Sequence, residues 1–143
     1  MIKLADINVV FALLVDGHEH HPAAWAWWEK QPEDGVAWAL PVKLGILRLL
    51  SNARTMQGEP LEPEKALDAW EKFANDPRTR EAEFPSIAHE SVLRRLVSGR
   101  KTTPNLWTDA WLAALAESLT IGLTSFDAGF RSFGLRNFEQ LQG

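Results

Sequence analysis

Short apolar segments alternate with amphipathic helical segments along the chain, and this alternation is the strongest constraint on its fold. Strands are predicted at 2–6, 36–40, 81–87 and 121–127, and Pro85 restricts the third of them to a sheet edge. A strand, a helix and another strand in succession are typical of right-handed parallel crossovers. We therefore expect an α/β domain whose mostly parallel sheet is covered by helices on both faces.

The segments between the strands have helical periodicity and end at recognisable helix boundaries. Pro22 is compatible with the first turn of its helix, and Gly99 closes another. The tryptophan pairs Trp25–Trp28 and Trp107–Trp111 have helical spacing and are expected to lie mostly in the core. The predicted helices span 8–15, 18–31, 41–52, 62–76, 89–99 and 102–119.

Length and composition place the chain among globular proteins of one domain. Its 143 residues fit a single domain over 1–143 that buries enough surface to fold without disulfides. Because the chain has no cysteine, disulfides and thiolate metal sites are excluded, and a cytoplasmic location is expected. The N-terminal segment has neither a signal peptide pattern nor a membrane span. The net charge of -4 argues against a large nucleic-acid footprint but leaves room for a local basic patch.

Three aspartates fall at positions where a parallel sheet binds ligands. Asp6 and Asp127 each end a predicted strand, and Asp109 lies near the start of the long helix that leads into the last strand. Ligands of open parallel sheets bind outside the carboxyl ends of the strands, so the three carboxylates are expected to converge there. Carboxylates that converge repel one another unless a cation lies among them. The sequence therefore predicts a site for Mg²⁺ or Mn²⁺, which can polarise a phosphoryl group and activate a water molecule.

Two further polar residues are predicted to belong to this site, although each aspartate also has a simpler explanation. Asn8 follows Asp6 by two residues, and Ser125 precedes Asp127 by two, so both could hold a carboxylate or a water molecule. Alternatively, Asp6 and Asp127 could serve as helix N-caps, and Asp109 could interact with a helix dipole. The metal-site interpretation gains from the expectation that all three lie at one sheet edge.

Several motifs of this chain, in this order, closely resemble the PIN-domain ribonucleases of the VapC toxin type. They are DINVVFALL, HEHHPAAWAWW, LGILRLLSN, TDAWLAALA and LTSFDAGF, within a resemblance from about Leu4 to Phe133. The pair TDAWLAALA and TSFDAGF is the most specific part. The resemblance implies a three-layer α/β/α fold with a parallel sheet and an Mg²⁺- or Mn²⁺-dependent endoribonuclease that cleaves structured RNA such as tRNA or rRNA. It also implies a homodimer that is inhibited by a cognate antitoxin.

Motif by motif, the resemblance implies that Asp6, Asp109 and Asp127 take the acidic metal-site positions of the family. Asn8 matches the polar residue that accompanies them, and Ser125 matches the serine or threonine that usually precedes the last aspartate. One position departs from the family. Many members carry another glutamate on the helix after the second strand, where this chain has only Lys43. The subgroup that this chain resembles often lacks that glutamate.

Other functions remain open from the sequence alone. A protein of the same fold could bind RNA or an antitoxin without cleaving, and Lys43 in place of an acid is the main support for that alternative. A phosphatase or nuclease that acts on DNA is a third possibility. The histidines His18, His20 and His21 have spacings that do not converge on one metal ion, which disfavours a zinc site. Basic residues that could contact phosphates are Arg94, Arg95, Arg100, Lys101, Arg48 and Arg54.

Overall fold

The central element of the fold is a sheet of five parallel strands in the order β3-β2-β1-β4-β5. It is seen in a computed structural model that describes residues 1–83 and 86–143. The strands are β1 (Lys3–Ala5), β2 (Val36–Trp38), β3 (Thr79–Glu81), β4 (Gly122–Ser125) and β5 (Phe138–Gln140). The expected parallel sheet is thus confirmed, and within the described residues every strand pair is parallel.

Six α-helices and one 3-10 helix surround the sheet within the described residues, which gives the predicted three-layer α/β/α architecture. Helices α2 and α3 both pack on α1, and α4 packs on α3, whereas α5 packs on α6, which contacts β1 and β4. The helices are α1 (Ile7–Leu14), α2 (His21–Glu29), α3 (Leu40–Leu50), α4 (Pro63–Ala74), α5 (Ile87–Val97), α6 (Leu106–Leu119) and a 3-10 helix (Ala128–Phe133).

The strand order reverses next to β1, and this reversal positions the site. The chain runs from β1 outward to β2 and β3, and then returns across the sheet to β4 on the other side of β1. In such a sheet the connections diverge to opposite faces and leave a crevice at the carboxyl ends of the two central strands. Leu4, Ala5 and Leu123 are almost fully buried in these strands, so their ends are fixed by the core.

Two strand predictions need correction. The third strand was expected at 81–87, but β3 covers Thr79–Glu81 and overlaps the prediction only at Glu81; Phe84 and Pro85 lie outside the described residues. β3 is nevertheless an edge strand, as predicted. The strand β5 (Phe138–Gln140) was not predicted, because three half-buried residues give no apolar alternation.

The helix predictions were right in place but too long at two N-termini. α2 begins at His21 rather than at 18, with Pro22 in its first turn as expected, and α6 begins at Leu106 rather than at 102. The tryptophans were only partly core: Trp28 is buried, but Trp25 is 45% exposed and Trp107 is 59% exposed. No helix in the described part of the chain is long and apolar enough to cross a membrane.

Candidate active site

Asp6 lies at the carboxyl end of β1, where its side chain is only 3% exposed. One carboxylate oxygen caps α1 by accepting a hydrogen bond from the Ile7 N–H at 2.7 Å, and the other accepts from Ser125 Oγ at 2.7 Å. Burial raises the pKa of Asp6, and the Asp127 charge adds to this, while the two hydrogen bonds oppose it. The Asp6 side chain therefore caps α1 and also belongs to the candidate site.

Ser125 is the centre of the polar network that joins β1 to β4. Its fully buried hydroxyl donates to Asp6 and accepts the Asp127 N–H at 2.9 Å. Asn8, in the first turn of α1, donates from Nδ2 to Ser125 Oγ at 3.1 Å and accepts the Phe126 N–H on Oδ1 at 3.1 Å. These bonds fix the end of β4 relative to the start of α1.

Asp127 begins the 3-10 helix that follows β4. Its Oδ1 accepts the Gly129 N–H at 2.8 Å, so it is an N-cap, and its side chain is exposed to solvent. A Cβ at Gly129 would lie 3.0 Å from that same oxygen, which is tighter than ordinary contact. Glycine at this position therefore lets the backbone approach the carboxylate closely.

Asp109 faces the other two carboxylates from the first turn of α6. Its side chain is half-buried, and its pKa is raised to about 7, by burial first and then by the charges of Asp6 and Asp127. The structure therefore places three carboxylates, one each from β1, α6 and the end of β4, within electrostatic range of one another. We call Asp6, Asp109 and Asp127 the aspartate cluster.

The aspartate cluster has the donor chemistry of a site for a hard divalent cation. Its oxygens are the ligands that Mg²⁺ and Mn²⁺ prefer, and its mutual repulsion is what a cation relieves. Within residues 1–83 and 86–143, no group of three or more histidine, aspartate or glutamate side chains has an arrangement that could hold a metal ion. Mg²⁺ usually binds through only one or two carboxylates and keeps several waters, and the cluster offers carboxylates of this kind.

All five site residues predicted from the sequence lie at this edge of the sheet. Four of them share one hydrogen-bond network, and Asp109 interacts electrostatically with Asp6 and Asp127. Two contributors were missed. The Phe126 N–H, bonded to Asn8, leaves no trace in a side chain. Gly129, two residues after Asp127, was signalled by the Asp-x-Gly spacing of a tight helix start. Lys43 lies half-buried in the first turn of α3, and its side chain makes no hydrogen bond or ion pair with any described residue.

The histidines beside the site engage protein groups. The ring Nδ1 of His18 accepts the His20 N–H at 3.0 Å, and Nδ1 of His21 lies 2.8 Å from the Ala12 carbonyl oxygen. The His20 ring stacks on Phe126, with the ring centres 4.8 Å apart. Burial lowers the pKa of His18, and the neighbouring His20 lowers it further.

Comparison with known proteins assigns the chain to a family. Ribonuclease VapC41 of Mycobacterium tuberculosis is 32% identical to the chain over 136 residues, which cover 92% of each protein. The chain belongs to the VapC ribonuclease family. No model of a protein family matches the chain.

Solved structures of VapC proteins share the fold of this chain. VapC20 of Mycobacterium tuberculosis, described as a toxin that cleaves the sarcin-ricin loop, matches with a TM-score of 0.65 and 20% identity, over 93% of this chain and 95% of that one. VapBC2 of Rickettsia felis, a toxin–antitoxin complex bound to promoter DNA, matches with a TM-score of 0.70 and 14% identity, over 99% and 100%. The three-layer fold is therefore the PIN fold of VapC toxins.

Proposed function

We propose that this protein is a metal-dependent endoribonuclease, the toxin of a toxin–antitoxin pair. The observation that carries the proposal is the aspartate cluster at the carboxyl edge of the sheet, in a chain of the VapC ribonuclease family. Phosphodiester cleavage develops negative charge on phosphate oxygens, and three uncompensated carboxylates would repel an RNA backbone. The cluster can therefore serve RNA cleavage only together with a cation.

In this proposal Asp6, Asp109 and Asp127 hold an Mg²⁺ or Mn²⁺ ion. When bound, such an ion supplies Lewis-acid polarisation of the phosphate and activation of water. Each carboxylate is delivered by a different element, so the cluster spans the crevice between β1, α6 and the end of β4. The half-buried Asp109, with its pKa near neutrality, must give up its proton when it binds the cation.

Ser125 and Asn8 orient the carboxylates in this mechanism. Ser125 fixes the Asp6 carboxylate through one hydrogen bond and the Asp127 backbone through another. Asn8 holds Ser125 on one side and the Phe126 N–H on the other, which keeps the end of β4 in register with α1. Catalysis of this kind depends mainly on positioning and on charge stabilisation, so a preorganised network is valuable.

The partners are part of the same proposal. The substrate is a structured RNA of the tRNA or rRNA class, a cognate antitoxin holds the toxin inactive, and the toxin is a homodimer. VapC20 is described as cleaving the sarcin-ricin loop, and VapBC2 is a toxin–antitoxin complex, which supports the RNA and antitoxin parts. The homodimer is consistent with the exposed apolar side chains Leu40, Leu44 and Ile87 near the start of α3 and α5.

The test is an RNA cleavage assay on purified protein freed of any partner that copurifies with it. Total RNA is incubated with Mn²⁺ and, separately, with EDTA, and Asp6→Asn prepared identically reports contaminating nucleases. We expect discrete fragments that require Mn²⁺ and disappear in the variant. No cleavage despite Mn²⁺ binding would favour a non-catalytic RNA- or antitoxin-binding protein, and equal cleavage by both proteins would refute the aspartate site.

A further inference from the structure

Arg100 makes an unusually complete set of contacts for an exposed arginine. It follows the end of α5, just after Gly99, whose φ of 75° lies in the left-handed region and turns the chain back. Its Nε donates to the Leu96 carbonyl oxygen at 2.6 Å. This bond ties the guanidinium to the last turn of α5 and sets its plane.

The other end of the guanidinium reaches the 3-10 helix. Nη1 donates to Ser132 Oγ at 3.0 Å, and Nη2 donates to the Ser132 carbonyl oxygen at 2.7 Å. The guanidinium carbon also lies 4.4 Å from the centre of the buried Phe133 ring, a cation-π distance. One side chain therefore joins α5 to the 3-10 helix through three hydrogen bonds and a ring contact.

Two hydrogen bonds, joined by the backbone of Gly129, connect Ser132 to the aspartate cluster. Ser132 Oγ, which accepts from Arg100, donates to the Gly129 carbonyl oxygen at 2.9 Å. The Gly129 N–H donates in turn to Asp127 Oδ1 at 2.8 Å. The side chain of Asp127 is exposed; its carboxylate is held by the Gly129 N–H, and its backbone is held by Ser125.

We propose that Arg100 is a positioning residue for Asp127, which it orients through Ser132 and Gly129; the catalytic consequence rests on the proposed function. Three of the five N–H donors of Arg100 are used within the chain, which favours this role over the phosphate contact that the sequence left open. Arginine suits the role because its planar fork offers several donors in fixed geometry, whereas lysine is a single flexible point charge.

The experiment compares Arg100→Ala, Arg100→Lys, Ser132→Ala and the Arg100→Ala/Ser132→Ala double variant with the wild type. Arg80→Ala removes an exposed arginine on the edge strand β3 and is the matched control. NMR on metal-free protein measures the hydrogen exchange rates of the Gly129 and Gly134 amides, which report how stably the 3-10 helix is formed. Cleavage of RNA with Mn²⁺ separates kcat from KM, and thermal unfolding reports the overall fold.

We expect Arg100→Ala to speed exchange at Gly129 about tenfold and to lower kcat about tenfold, with KM within about twofold of the wild type. Arg100→Lys should resemble Arg100→Ala. The double variant should be no worse than Arg100→Ala, because both changes break the same chain of bonds. Arg80→Ala should leave kcat and exchange unchanged.

Two results would overturn the proposal. One is wild-type exchange at Gly129 in Arg100→Ala. The other is a rise in KM with unchanged kcat, which a phosphate contact would give. Should Arg100→Ala fail to fold, Ser132→Ala decides, since it removes only the central link. Absence of Mn²⁺-dependent cleavage by the wild type would refute the proposed function, while faster exchange in the variants would still establish the structural link.

Discussion

Within the described residues, acidic side chains at two places on the sheet differ in their counter-charge: the single carboxylate of Glu139 is paired with a lysine, whereas the aspartate cluster has no paired lysine or arginine. Glu139 on β5 accepts hydrogen bonds from Lys3 Nζ at 2.7 Å, Trp27 Nε1 at 2.9 Å and Thr124 Oγ1 at 3.2 Å. Burial alone would raise the pKa of Glu139, but these bonds and the Lys3 charge together lower it. This carboxylate is neutralised by the chain itself.

The aspartate cluster presents the opposite case. Burial raises the pKa of both Asp6 and Asp109, and the charges of their acidic neighbours raise it further. Hydrogen bonds hold Asp6, but among the described residues no lysine or arginine forms an ion pair with any of the three aspartates. Near one sheet, the described residues thus neutralise the carboxylate of Glu139 and leave the aspartate cluster without a paired cation. In the proposed function, a divalent cation from outside the chain supplies the counter-charge of the aspartate cluster.

The largest effect is expected from Asp6→Asn. The substitution keeps the shape of the side chain but removes the charge that binds a cation, so RNA cleavage with Mn²⁺ should fall roughly 100-fold or more. Glu139→Gln, which neutralises the other carboxylate, should leave cleavage within about twofold of the wild type. Initial rates of cleavage of a defined RNA are measured for both variants. A comparable loss of cleavage in the two would show that Glu139 and the aspartate cluster do not differ in function.

Asp109→Asn should make the metal-free protein more stable at neutral pH. The pKa of Asp109 rises from its ordinary value of 3.8 to about 7 in the folded state, so the folded state binds more protons between these values. Stability is therefore lost as pH rises from about 4 to 7, and the asparagine variant escapes that loss. We expect a gain of about 1–2 kcal/mol at pH 7, after allowance for solvent screening, and none near pH 4.

Urea unfolding of wild type and Asp109→Asn at several pH values, in EDTA, measures this effect. Added Mn²⁺ should reverse it by stabilising only the wild type. A variant that is equally stable or less stable at pH 7 would mean that the charge of Asp109 is already compensated.

Ser125→Ala should weaken the site without removing a charge. The hydroxyl donates to Asp6 and accepts from the Asp127 backbone, so its loss raises the pKa of Asp6 further and frees the end of β4. We expect kcat to fall about tenfold. Ser118→Ala, which removes a hydroxyl bonded to the Leu115 carbonyl oxygen in α6, is the control and should retain wild-type kcat. Unchanged kcat in Ser125→Ala would show that Asp6 needs no orienting hydroxyl.

The smallest effect is expected from Lys3→Met, which removes the cation of Glu139. The pKa of Glu139 is lowered in the folded state, so its stabilisation is present above the ordinary value of 4.5 and is lost as pH falls through the folded pKa. We expect a loss of about 1 kcal/mol at pH 7 that shrinks below pH 4.5, with cleavage unaffected. Lys30→Met, at an exposed position, is the control. Loss of cleavage in Lys3→Met would contradict the independence of the two groups.

The sequence predicted the position of the three aspartates at the carboxyl edge of the sheet better than it predicted the edge strands. Asp6 and Asp127 interrupt or end apolar runs, and buried charge in such places demands an explanation, so the carboxyl edge could be located without a structure. β3 and β5 were misplaced or missed because they are three-residue edge strands with polar side chains, which tertiary pairing alone stabilises.

The contacts between distant polar side chains could not be predicted from the sequence for a related reason. Arg100 and Ser132 are 32 residues apart, and no periodicity links them. Lys3 and Glu139 are 136 residues apart and meet only because β4 lies between β1 and β5. Apolar patterns predict which faces are buried, whereas pairing between polar side chains depends on the strand order.

The most direct test of the external-cation account is isothermal titration of Mn²⁺ into metal-free protein at pH 7. We expect saturable Mn²⁺ binding by the wild type and by Glu139→Gln, and loss of this binding in Asp6→Asn. No binding by the wild type, or equal binding by Asp6→Asn, would contradict the claim that the aspartate cluster takes its cation from outside the chain.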